Sequence, residues 1–200
     1  YKLMQISNEY KFIFFAVPKT ATQSSWRTFR PYVDILDNSH VQPPKVKKEY
    51  PELWDSCFKF CFVRNPWDRM VSHYFYYLAT IETWHTVLPR MLGGGSEISF
   101  QDYLYEHVLM GEPTGPKECN HCKEQTAWSD YVDYVARYEN YKEEVYNIFN
   151  LIGIKEEPKF HLENKTEHKS YSEYYDDKSI MIVYEKFKED IEMYNYEFGE

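Results

Sequence analysis

Along the chain, short unbroken apolar runs alternate with stretches whose apolar residues recur at helical spacing. Lys11 to Val17 reads Lys-Phe-Ile-Phe-Phe-Ala-Val and is ended by Pro18. That pattern predicts a strand buried on both faces, and with it a parallel sheet. A loop over Pro18 to Gln23 leads into a helix from Ser24 to about Tyr32. Cys57 to Val63 repeats the strand signal, and Arg64-Asn65-Pro66-Trp67-Asp68-Arg69 opens a helix through about Leu78. Asn65 is a good N-cap, Pro66 fits the first helical position, and Asp68 adds charge favourable to a helix N-terminus. Tyr131 to Arg137 reads as a third strand and Tyr141 to Ile152 as a helix closed by Gly153. A polar, irregular stretch spans 158 to 171, and a last helix runs from about Asp177 to Tyr194. Residues 79 to 98, with Gly93-Gly94-Gly95, and 111 to 123 read as loops around a helix near Phe100 to Val108, a candidate rim for an acceptor. Strands alternating with helices give an α/β class: one domain over 1–200, a mostly parallel sheet flanked by helices. Two hundred residues suffice for such a core without disulfides or a structural metal.

Charge narrows the partners. The formal net charge of −9 argues against general binding to nucleic acid or an anionic membrane, so any anionic ligand must be held by a local cluster. No stretch is long and apolar enough to span a bilayer and no signal-peptide pattern opens the chain; a start at Tyr1 rather than Met leaves room for a removed N-terminal anchor. Twenty tyrosines give much of the packing surface a hydroxyl, which suits a polar cleft. The cysteines form two close pairs, Cys57 with Cys61 and Cys119 with Cys122. Cys119-Asn120-His121-Cys122 has metal-ligand spacing, and four thiols could make one zinc site. The place of Cys57 and Cys61 in a core strand favours reduced, buried thiols instead.

Two segments carry candidate chemistry. Pro18-Lys19-Thr20-Ala21-Thr22-Gln23-Ser24-Ser25 joins a buried strand to a helix, so a lysine, hydroxyls and backbone amides converge as in phosphate-binding loops. It is not a Walker loop, having no glycine and its lysine too early; a plain polar turn is the alternative. In the second segment Arg64 leaves the C-terminal end of a strand, where open α/β sheets bind ligands, and Ser72 lies about two turns into the next helix. The two could fork onto one phosphate; a local ion pair of Arg64 with Asp68 is the bland alternative.

With both segments in order, the chain resembles the sulfotransferases that use 3′-phosphoadenosine 5′-phosphosulfate (PAPS), and above all the Golgi carbohydrate sulfotransferases and their bacterial relatives. The likeness continues through Arg137-Tyr138-Glu139-Asn140, Asn164-Lys165-Thr166 and Tyr174-Tyr175-Asp176 to Asp190-Ile191 and Tyr196-Glu197-Phe198. It implies a P-loop-like sulfotransferase fold in which Lys19, Thr20, Ala21, Thr22, Gln23 and Ser24 surround the 5′-phosphosulfate. Arg64 and Ser72 would hold the 3′-phosphate, Tyr138 would lie beside the adenine and Lys165 would close over the cofactor. Many relatives carry glycine where this chain has Ala21 and Thr22.

His40 stands in the linker where related enzymes carry a histidine taken as the catalytic base, and a neutral imidazole suits proton abstraction near pH 7. His168, His85, Asp102 and Glu124 are the reserve candidates. The expected reaction is in-line sulfuryl transfer from PAPS to a hydroxyl, the resemblance pointing to that of a carbohydrate, with Lys19 and His40 catalytic and no metal required. Trp84, Trp128 and Tyr74 to Tyr77 could stack on sugar rings but suit a core better. A small-molecule or protein hydroxyl, a PAPS-binding protein without catalysis, and a nucleotide kinase are the alternatives, the last weakened by the missing Walker loop. The expected compartment is the cytoplasm for a bacterial or viral chain and the Golgi lumen for a trimmed eukaryotic domain. Sequence leaves the acceptor and the oligomeric state open.

Overall fold

The computed structural model describes residues 4–37, 40–84, 98–109, 122–161 and 169–200, with backbone alone at 37, 80–84, 107 and 109. In chain order its strands are β1 (Met4–Ser7), β2 (Phe12–Phe15), β3 (Ile35–Asp37), β4 (Phe58–Val63) and β5 (Tyr134–Arg137). The helices are α1 (Thr22–Phe29), α2 (Pro43–Glu49), α3 (Pro51–Ser56), α4 (Pro66–Trp84), α5 (Phe100–Tyr103), α6 (Thr126–Ser129), α7 (Tyr141–Ile152), α8 (Asp177–Lys186) and α9 (Lys188–Tyr194). Contacts gather the chain into two compact units, Tyr1–Arg64 with Gln125–Lys165, and Asn65–Glu124 with Thr166–Glu200.

The first unit is the α/β part, a five-stranded mixed sheet in the order β3-β1-β2-β4-β5 flanked by helices. β2, β4 and β5 are parallel, with Phe14 opposite Phe60 and Phe60 opposite Tyr134. This is the half that the apolar runs anticipate. β1 and β3 add an antiparallel half. β1 escapes notice because Met-Gln-Ile-Ser alternates, yet Gln5 and Ser7 are fully buried, and the Gln5 side-chain amide donates to the Trp26 carbonyl at 2.9 Å.

Side chains alternate across the strands, so Phe12, Phe14, Phe60, Phe62 and Ala136 share one face and pack with Phe29 of α1 and Val145, Ile148, Phe149 and Ile152 of α7. The α7 residues recur at helical spacing, and Gly153 ends the helix at φ 80°, a left-handed turn glycine adopts freely. Burying such rings stabilises by about 1.5–3 kcal/mol each. Phe15, of opposite parity, meets Trp54 of α3. Trp128 is fully buried and its indole donates to the Val41 carbonyl, so it is core rather than a sugar platform. Cys61 is buried in β4 and Cys57 just before it, both free thiols; burial pushes the Cys61 thiol well up, away from a reactive thiolate. Cys119 lies outside the described residues.

The second unit is helical. Asn65 caps α4 by accepting from the Trp67 amide at 3.0 Å. The helix expected near Phe100 is α5 followed by a π-helical turn, Leu104–Leu109. The long last helix is two, α8 and α9, because Phe187 leaves helical geometry where its ring is fully buried. Asp176 and Ser179 form a capping box at the start of α8. Buried polar groups tie this unit together. Arg69 lies 3.8 Å from Asp190, both without exposure, donates to the Lys123 carbonyl at 2.8 Å and sits over the Phe187 ring. His73 and Tyr103 are hydrogen-bonded in the interior. The Tyr74 hydroxyl donates to Ile98, and its ring packs on Phe100 and Tyr103. No described helix is long and apolar enough to cross a membrane.

Candidate active site

The loop between β2 and α1 is wound by its own hydroxyls. Thr20 and Thr22 both donate to the Val17 carbonyl, at 2.9 and 2.8 Å. The backbone turns left-handed at Lys19 (φ 67°) and at Ala21 (φ 60°) on either side of Thr20. Left-handed residues set among right-handed ones aim successive amides at one point, the concavity that binds anions. A side chain at such φ costs roughly 1–2 kcal/mol, which explains why glycine suits position 21. Ala21 precedes α1 and supplies no side-chain cap, so the helix N-terminus is left to other acceptors. Ser24 is buried in the first turn and Gln23 half-buried.

β4 brings Arg64 to the same loop. Its guanidinium donates to the Lys19 carbonyl at 3.2 Å and lies 4.3 Å from the centre of the Tyr138 ring. Burial and the Arg64 charge lower the Lys19 ammonium from 10.5 to about 8. The site thus holds two cations against each other in a poorly solvated place, an arrangement that an anion would relieve.

His40 is anchored to the end of β2: its Nδ1–H donates to the Ala16 carbonyl at 2.6 Å. A neutral ring fixed in this way carries its lone pair on Nε2. The geometry therefore joins Lys19, Arg64 and Tyr138 and ties His40 to the residue three before Lys19.

Gln125 is a residue the sequence did not mark. Fully buried, it accepts from the Arg64 amide and donates to the Arg64 carbonyl, both at 2.9 Å, pinning the strand end that carries the guanidinium. Its signal is tertiary, sixty-one residues from its partner. Ser72 is half-buried in α4 of the second unit. Lys165, His85 and His168 lie outside the described residues, and Trp84 has no described side chain. Asp102 bonds the Ser99 hydroxyl at 2.6 Å and Glu124 pairs with Lys186 at 3.3 Å. Among the described residues no group of three or more His, Cys, Asp or Glu could hold a metal.

The chain matches the sulfotransferase family over residues 3–197. It belongs to that family. The match crosses both compact units, and it identifies the chemistry as sulfuryl transfer to a hydroxyl acceptor. An uncharacterized protein of Archaeoglobus fulgidus is 26% identical over 106 residues, 53% of this chain and 76% of its own. No solved structure matches.

Proposed function

We propose that this sulfotransferase, acting as one domain over residues 1–200, uses PAPS as donor, a carbohydrate hydroxyl as acceptor and His40 as base. The observation that carries the reading is the pair of cations: Lys19, with its ammonium depressed to about 8, beside Arg64 at an anion-shaped loop. That donor set fits a nucleotide bearing phosphates at two positions. Bound PAPS supplies an activated sulfuryl group. Lys19 to Ser24 would surround its 5′ end, Arg64 and Ser72 would serve the 3′-phosphate, Tyr138 the adenine, and Lys165 would close the site.

His40 would take the acceptor's hydroxyl proton on Nε2, since Nδ1–H is committed to Ala16. Lys19 would keep its proton and present positive charge where negative charge develops on the leaving oxygen. Arg64 is buried and its guanidinium lies over the Tyr138 ring, which orients the planar fork without further ordering. Calorimetry with 3′-phosphoadenosine 5′-phosphate and with AMP, then transfer from labelled PAPS to a panel of oligosaccharides, tests this. The 3′-phosphorylated nucleotide should bind at least tenfold more tightly. Equal affinity would remove the donor assignment, and binding without transfer to any acceptor would leave a carrier rather than an enzyme.

A further inference from the structure

We infer that a second site, a depression beside α1, holds an anionic saccharide unit of the acceptor; the role as acceptor subsite rests on the function proposed above. The depression is shallow and open to solvent, offers about 420 Å³, and is lined by Trp26, Arg27, Arg30, Pro31 and His161, all of the first unit. That volume falls within the range of ligand pockets. α1 rises about 1.5 Å per residue, so Arg30 is about 12 Å along the axis from Thr22. Trp26 is about 6 Å along, so the depression lies further along α1 than the Lys19 loop and shares no lining residue with it.

Its chemistry is specific. Arg27, Arg30 and His161 are exposed, and Arg30 Nη1 reaches the Val33 carbonyl at 3.4 Å. Two of the six arginines of an acidic chain stand here, one helical turn apart. A guanidinium fork pairs with the two oxygens of a sulfate or carboxylate better than an ammonium does. Trp26 and Pro31 give the apolar surface that the C–H face of a sugar ring covers. The Trp26 carbonyl is fixed by buried Gln5, while its indole N–H lies out of solvent with no hydrogen-bond partner among the described residues. A sugar hydroxyl meeting that donor as the ring adjusts would satisfy it. A peptide of acidic residues would use the arginines and leave the apolar surface bare.

The test uses the full chain and a sulfated hexasaccharide, with its desulfated counterpart and polyglutamate as controls. Tryptophan fluorescence and calorimetry should show the sulfated sugar binding, less tightly as salt rises. The Arg27→Gln/Arg30→Gln variant should lose at least tenfold of that affinity and keep its affinity for 3′-phosphoadenosine 5′-phosphate. Both arginines are exposed, so the variant should fold, which circular dichroism checks. Three results would each overturn the inference: desulfated sugar or polyglutamate binding equally well, an unaffected double variant, or a tenfold loss of nucleotide affinity. Saccharide binding that survives when 3′-phosphoadenosine 5′-phosphate binds no better than AMP would uphold the depression and sink the donor assignment.

Discussion

Two buried arginines divide the molecule by what stands beside them. In the helical unit Arg69 has Asp190 at 3.8 Å, a backbone carbonyl and an aromatic face, so its charge is met from within. In the sheet unit Arg64 stands beside a second cation, and Lys19 is depressed to about 8 by burial and by that neighbour. The first arrangement holds a fold together. The second keeps positive charge concentrated at the C-terminal ends of parallel strands, where an anionic ligand can use it.

The largest effect expected from this contrast is on folding. Asp190→Ala strands a buried guanidinium and should cost about 3–5 kcal/mol, read as a lowered denaturation midpoint. Lys19→Ala should leave the midpoint unchanged or raise it. A loss for Lys19→Ala as large as for Asp190→Ala would erase the distinction between the two regions.

Turnover should respond the other way. Lys19→Ala should reduce transfer by about 10²–10³-fold and nucleotide affinity far less, because its interaction belongs chiefly to the transition state. Its charge also sets a pH dependence. Lys19 in the folded protein binds its proton less well than in the unfolded chain, about 8 against 10.5. Between those values the unfolded state carries more protons, so the Lys19 contribution to stability rises with pH through that window. Binding of an anionic nucleotide, which favours the ammonium, should weaken above pH 8. Both slopes should be absent in Lys19→Met, as paired denaturation and calorimetric titrations at pH 7.5 and 9.5 would show.

His40→Ala should cut transfer by about a hundredfold or more and leave binding of the product nucleotide intact. The wild-type rate should climb as the imidazole loses its proton, and that limb should vanish in the variant. Normal turnover with the limb retained would move the base elsewhere. The smallest effect is a gain: Ala21→Gly relieves a left-handed alanine and should add up to about 1 kcal/mol to the stability of the sheet unit.

Much of the sheet unit was legible. β2, β4 and α7 follow from unbroken apolar runs, helical spacing and the Gly153 stop, because their side chains are sorted by burial alone. Lys19, Arg64 and the tie of Asn65 to α4 follow from residue types at strand ends and helix starts. β1, α2 and α3 did not, being short elements whose order comes from neighbours: Gln5 is buried because Trp26 offers a carbonyl, not because it is apolar. Nor could the sequence split the last helix at Phe187, whose ring the core demands.

The sequence by itself determined the family, the parallel strands and the residue types at the candidate site, since local apolar pattern and strand-loop-helix grammar are short-range properties. Only the tertiary structure decided how those residues act. It turned Lys19 and Ala21 left-handed, set Arg64 against both Lys19 and Tyr138, fixed the His40 proton on Nδ1 through Ala16, and recruited Gln125 from sixty-one residues away. Each depends on burial and on partners distant in sequence, and solvent exclusion and long-range hydrogen bonds exist only once the chain has folded.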